Sequence, residues 1–511
     1  MHMRQSLLRA AVLTGLIVAL LWPAVWNRGP FYFVDTRTYM RSEDAAINQF
    51  THSRTAWTAE DSHPAETSAS QASDKSLDDA NDSLHNVGEA HTRSLEEIKK
   101  KGIMLGRSLY YGLLIYFGAI SGEFWPTIVI QAAAILLALY LTLRAVEVPV
   151  WPTLAWLCLT LCLVSDISFF ASYLMPDLFA GIAILSCATL LSVSRRMQPT
   201  EYALWFLLLA SSMLFHDTCF LISVLLLALS IVLNLFRRSW ANARGLCVIL
   251  LAAITSFGGQ SIVTYGITRA SGQEPLRFPL IEARLVQDGP GTSYLRATCP
   301  QNRFNLCAYV NEFPMSSYDF LFGTKPGRAV YEMASYDQRR ALSQEQFRFL
   351  LAVMHYDPVG VVKCALRNAT AQFLNFTLSS FRYDPNDKYI MDRTFPLQTL
   401  KQMRAGGAYS GSMPVATLSV LVYLFAICSV LYLLLAIFGL LPGRNISHPC
   451  KAIFFWIAVG VLLNAAICGG ISANESRYQA RVIWLIPLAA LLVEASAWFR
   501  REVGQQNPGQ L

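Results

Sequence analysis

Charge is what this sequence has least of. Asp, Glu, Lys and Arg together make up 15% of 511 residues, where a soluble globular chain carries roughly 25%. That deficit excludes a chain that keeps most of its surface in water. No CxxC pair, HExxH or glycine-rich phosphate loop stands in a supporting context, which removes metal-finger, zinc-protease and nucleotide-fold readings. The eleven cysteines give no disulfide framework either. Most lie in apolar stretches, where a thiol behaves as a small hydrophobe. Cys299 and Cys307 stand apart, close together in a polar region, and are open as a disulfide or as two free thiols.

What is there in excess is apolar. Hydrophobic residues reach 54% and gather in blocks of about 20, the length that crosses a hydrocarbon core of about 30 Å. Ten such blocks fall at about 7–26, 124–145, 149–165, 178–194, 202–216, 218–236, 246–265, 414–440, 452–470 and 482–499. The fold class expected is therefore an all-α polytopic membrane protein of about ten transmembrane helices. The net charge of +7 needs no nucleic-acid partner, because basic residues mark cytoplasmic loops. Arg195-Arg196, Arg237-Arg238, Arg444 with Lys451, and Arg500-Arg501 all fall on one side in a single threading. That threading puts both termini in the cytoplasm and reads the first block as a retained signal anchor, since no small-residue cleavage site follows it.

Two stretches test the count. Residues 103–120 are interrupted by Arg107 and read as an interfacial or re-entrant helix. The long apolar run 202–236 reads as two spans that turn at His216-Asp217-Thr218. The domain expectation is a transmembrane core over 1–265, an extracytoplasmic α or α+β domain over 266–412, and C-terminal transmembrane helices over 413–511. Within the outer loop 27–107, the Ser/Ala/Asp/Glu-rich tract 42–97 reads as a mobile insertion. Residues 343–378 carry an amphipathic helical pattern.

Ionisable groups at a membrane rim are expensive, so each calls for an explanation. Asp35 follows the aromatic run Phe31-Tyr32-Phe33. It reads as a general base or metal ligand, or as an N-cap of a short helix from Thr36. Asp166 and Asp177 flank the loop before the fourth block, and capping is the competing reading there too. His216-Asp217 lie in a turn pressed against the bilayer. Arg477 and Arg481 sit four apart in Glu475-Ser476-Arg477-Tyr478-Gln479-Ala480-Arg481. On a helix they share a face and suit a phosphate, with lipid-headgroup anchoring as the alternative. All four features fall on the same, extracytoplasmic rim.

This arrangement resembles the GT-C-type glycosyltransferases, and within them the protein O-mannosyltransferases and lipid A aminoarabinose transferases. The matching features are Asp35 and Tyr39 after the first span, an acid (Asp166 or Asp177) in a later loop, a large external segment, and Arg477-Tyr478 before a late span. The resemblance implies an inverting transfer of a sugar from a polyprenyl-phosphate donor to a glycan, lipid or protein acceptor. Asp35 would be the base, assisted by Asp177 or Asp166. Arg477, with Arg481, Tyr478, His216, Tyr39 and Arg107, would bind donor and phosphate. A divalent cation, if used, would sit between Asp35 and Asp177. Thr36 stands where the mannosyltransferase branch has a second acid. The expected setting is a bacterial inner membrane. An O-antigen ligase or polymerase and a lipid-linked-sugar flippase are the alternatives.

Overall fold

The computed structural model of the chain describes residues 2–51, 55–59, 102–193, 197–236, 242–299, 301, 304–325, 327–441 and 448–506. These residues form helices and two isolated backbone bridges, with no strand among them. Every apolar block folds as a helix. In chain order they begin with α1 (His2–Leu20), followed by two helices of the first loop, α2 (Val34–Thr51) and α3 (Leu109–Gly122). Then come α4 (Trp125–Ala145), α5 (Val150–Val164), α6 (Leu178–Val193), α7 (Pro199–Phe215), α8 (Asp217–Phe236) and α9 (Ala243–Ser271). The 266–412 segment contributes α10 (Leu280–Asp288), α11 (Tyr336–Tyr356), α12 (Pro358–Leu374) and α13 (Pro385–Thr394). The chain closes with α14 (Val415–Ile437), α15 (His448–Ile471), α16 (Ser476–Ile483) and α17 (Leu485–Gln506).

Six helical segments among the described residues are long and apolar enough to cross a bilayer: α4, α8, α9, α14, Pro449–Ile471 and Ser476–Phe499. Helices α5, α6 and α7 have 15, 16 and 17 residues. At about 1.5 Å per residue each falls short of the roughly 30 Å core. The ten-span expectation is thus met in length and apolarity by six segments. Helix α3 has 14 residues, about 21 Å. It is capped by Ser108, whose hydroxyl accepts from Tyr111 N, so Arg107 lies outside it. The run 202–236 breaks at His216, which is extended at φ −152° and ψ 126°.

Helix α6 is the axis of the bundle. It is buried almost throughout and packs on α4, α7, α8, α9, α15 and α16. Inside a bilayer such packing rests on close approach of small residues. Here Gly181 receives the Trp484 indole, and a Cβ at 181 would sit 2.5 Å from its Nε1. Gly460 receives Ile184 in the same manner.

The 266–412 segment has its own apolar core, which includes Leu285, Leu295, Phe320, Tyr331 and Phe349. It is stapled by a Cys299–Cys307 disulfide with Cα atoms 5.6 Å apart. The expectation that 42–97 stays unordered fails over its first part. Helix α2 runs on to Thr51, and Ala56–Ala59 forms a short helix. Trp57 there is buried against Phe124 and Phe395, and the Asp44 carboxylate accepts from Thr55 N and Oγ1. One buried indole and one satisfied carboxylate order what composition alone does not. Residues 60–97 lie outside the described residues.

Candidate functional site

Three loops are knitted together before any ionisable group is placed. Phe31 N donates to the Ser172 carbonyl and Leu174 N to the Phe31 carbonyl, both at 2.9 Å. Tyr32 N donates to the Tyr383 hydroxyl at 2.8 Å, and Ala408 N to Asn27 Oδ1 at 2.9 Å. Phe381 fills the junction, with its ring 5.1 Å from Phe31, 5.0 Å from Phe169 and 5.1 Å from Tyr173. The segment after α1 therefore lies beside the segment after α5, with a piece of the 266–412 region closing over both.

Asp35 stands in the first turn of α2, which begins at Val34. The N-cap reading for Asp35 is therefore displaced. Phe33 precedes the helix, and its N–H is taken by Thr36 Oγ1 at 3.0 Å. The Asp35 carboxylate instead accepts a charge-assisted hydrogen bond from Arg107 Nη2 through Oδ2 at 2.5 Å. Tyr39, one turn on, is buried with its ring against Tyr111 at 5.2 Å. Burial pushes its phenol up, and the charges of Arg107, Asp35, Asp177 and Arg477 all act on it.

Asp177 precedes α6 and meets Arg481 of α16, with Nη1 3.2 Å from Oδ1. Both side chains are sealed from solvent, at 2% and 0% exposure. Arg481 also reaches Asn464 Oδ1 at 3.1 Å and Cys468 Sγ at 3.3 Å. Its Nη groups are directed into the protein while its buried Nε has no partner, so the structure places Arg481 in a buried bridge. Four residues earlier on the same face, Arg477 lies 4.1 Å over the Phe33 ring and 5.1 Å over that of Tyr478. Its Nη1 and the Tyr173 hydroxyl are both buried with no hydrogen bond of good geometry, although the guanidinium lies near enough to act on that phenol by charge and as a donor. Arg477 is thus a cation whose donors are not all used by the fold.

His216 ends α7, and its Nδ1 accepts from Thr218 N at 3.1 Å. Burial first, then the nearby Arg481, hold it down to about 3; Asp177 acts the other way, and Arg107 and Arg477 add smaller lowering effects. It is a neutral imidazole at physiological pH. Asp35, Tyr39, Arg107, Asp177, His216, Arg477, Tyr478 and Arg481 accordingly share one electrostatic neighbourhood. Asp166 does not. It is fully buried, neither carboxylate oxygen has a partner, and it makes no cap bond to the helix it precedes. Burial alone pushes it well above the carboxylate range. Its expected part in the site is withdrawn.

A cation between Asp35 and Asp177 does not suit this donor set either. Each carboxylate is already engaged by a guanidinium, and three arginines crowd the space. Among the described residues no cluster of three or more His, Cys, Asp or Glu is arranged to hold a metal. The structure also adds members. Tyr173 is one; Asn464 is another, and as a lone amide in the apolar block 452–470 it was a visible signal. Asp387 of α13, a helix packed on α2, is the third. Burial and Asp384 push it up to about 6, while Arg477 acts the other way.

Fold and site together define an all-α membrane protein with a cation-rich polar site at one end of its helical bundle. Comparison with known proteins finds no protein family, no curated protein and no solved structure that matches the chain.

Proposed function

We propose that this protein is a membrane glycosyltransferase that takes a sugar from a polyprenyl-phosphate carrier at the extracytoplasmic face. The observation that carries the reading is Arg477. A buried guanidinium with an unsatisfied Nη1 is costly to maintain, and a ligand phosphate oxygen is the group that best satisfies it. Asp35 supplies the other half. Arg107 holds Oδ2, and Oδ1 is the oxygen that would take the proton. In the proposed step the acceptor hydroxyl gives its proton to Asp35 while its oxygen bonds to the anomeric carbon. The bond from that carbon to the phosphate oxygen breaks, and the polyprenyl phosphate leaves with the electron pair. Arg477 stabilises the charge that develops on the phosphate. Asp177 acts through Arg481, whose buried bridge fixes α16 and hence Arg477.

The ligase alternative would use a histidine base. His216, with Nδ1 occupied and its charge state held neutral down to about 3, is a poor one.

The test is mass spectrometry of lipid extracts from cells with and without the protein. Loss of the protein should accumulate a polyprenyl-phosphate sugar. Asp35→Asn and Arg477→Lys should reproduce that accumulation at normal protein levels. Unchanged lipid-linked sugars in the deletion would overturn the reading.

A further inference from the structure

The amphipathic 343–378 pattern is not used by the site just described. It folds as α11 and α12, which would pass together as one membrane span but are bent by 113° at Asp357. Asp357 makes the elbow definite: its carboxylate accepts from Gly360 N at 2.8 Å, and Pro358 begins the new helix. One face of α11, with Leu342, Phe349 and Val353, is buried in the core of the 266–412 segment. The opposite face presents Phe347, Leu351 and Met354, spaced four and three apart, and Leu351 is 71% exposed. Helix α12 continues the stripe with Val359, Val362 and Leu366, and Val359 at the bend is 75% exposed.

The far side of α12 is seated on α15, one of the candidate spans. At Gly469 a Cβ would stand 2.5 Å from the Asn368 carbonyl. Gln372 and the backbone of Glu475 exchange two hydrogen bonds, at 2.8 and 3.1 Å. Helix α15 also presents apolar surface outward, with Leu462 55% exposed. Lys363 is exposed on α12, as is Arg367, which also bridges Asp288 at 3.3 Å; such cations flank the apolar face of helices that lie in an interface and meet anionic headgroups.

We infer that the α11–α12 elbow is a re-entrant anchor that inserts Leu351, Val359 and Val362 into the acyl region of the nearer leaflet. Lys363 and Arg367 then lie at phosphate level. The partner is the lipid surface itself. Inserted apolar area of this kind holds the 266–412 segment down over the rim, with α16 and Arg477 directly behind α12. The inference goes beyond the transferase reading and does not depend on it.

The experiment places an environment-sensitive fluorophore on Val359→Cys, and for comparison on Tyr318→Cys, an exposed position of the same segment. Exposed Cys247 and Cys428 and the half-exposed Cys364 are first changed to Ser. The full chain is reconstituted in phosphatidylcholine–phosphatidylglycerol vesicles with nitroxide-labelled lipids. At Val359→Cys the lipid nitroxide should quench strongly and aqueous iodide several-fold less than at Tyr318→Cys. Equal iodide quenching at the two positions would overturn the inference. So would cross-linking of Val359→Cys between two copies at high lipid dilution, which would assign the stripe to a dimer contact.

Discussion

Asp177→Asn is the substitution that separates an architectural site from a directly catalytic one. The pair it breaks is 3.2 Å long and sealed on both sides. At an effective dielectric of about 20, charges at that separation attract by about 5 kcal/mol. Desolvation offsets much of this, so the intact bridge contributes little net stability. Removing one partner is another matter, because it strands a buried guanidinium whose other acceptors are only Asn464 and Cys468. The expected loss is about 3–5 kcal/mol. Unfolding entropy of roughly 2.1 cal/mol/K per residue amounts to about 1 kcal/mol per degree for this chain, so Tm should fall by about 3–5 °C in detergent micelles. Arg481→Met should do the same, since it strands Asp177. The double variant Asp177→Leu with Arg481→Met removes both charges and should recover most of the loss. The assay is thermal unfolding followed by tryptophan emission, which includes a local reporter: the Trp484 indole donates to the Arg481 carbonyl at 3.1 Å. Wild-type Tm in both single variants, or additive losses in the double, would refute the reasoning.

Other consequences are independent of that bridge. Glu43 is 3% exposed, its Oε1 has no partner, and burial pushes it from 4.5 to about 8. The folded state then binds more protons than the unfolded state between those values, so stability falls as pH rises through that window. Glu43→Gln should flatten the fall and raise Tm at pH near the upper end; identical Tm–pH curves would refute the assignment. Gly181→Val should lower stability by about 1–3 kcal/mol through overpacking, because its Cβ would meet the fully buried Trp484 at 2.5 Å. An unchanged unfolding midpoint would mean that α6 and the start of α17 are not in contact there. Arg477→Met should leave Tm equal or higher, since it removes a donor the fold leaves unsatisfied. A drop comparable to that of Arg481→Met would make Arg477 a structural residue and remove the main support for a phosphate site.

Helices and turns were legible because their signals are local. An apolar block of fixed length, an arginine at 107 and a histidine–aspartate pair at 216–217 each act on their own stretch of backbone. Which loops share an end of the bundle was legible for a related reason: successive helices run back and forth, so alternate loops return to the same end. That is how Asp35, Asp177, His216 and Arg477 could be grouped before their distances were known. Within one loop the method has no resolution. Asp166 and Asp177 belong to the same rim, yet only Asp177 meets an arginine. The difference lies in the Phe31 bridge to 172–174 and in the seat of α16, both contacts between residues far apart in sequence. Trp57 makes the same point, because the rings that bury it are Phe124 and Phe395.

Arg477 and Arg481 show most directly what spacing determines. Four residues apart on one helix, they face the same way, as the sequence indicates. The helix is buried on nearly every side, however, so a shared face does not mean a shared environment. At Arg481 that face meets Asp177, Asn464 and Cys468, and the guanidinium becomes part of the structure. One turn earlier it meets the Phe33 ring at 4.1 Å and shares the Tyr478 ring with Arg481, and aromatic faces attract a cation without using its N–H groups. Aromatic faces therefore hold Arg477 in place without a counter-charge, and a carboxylate in their place would have engaged its N–H groups. The order along α16, a ring-held arginine one turn before a bridged one, is the arrangement the proposed phosphate site would use. In the proposed transferase the inner pair sets the position of the helix, and the outer cation is the one that would meet the phosphate.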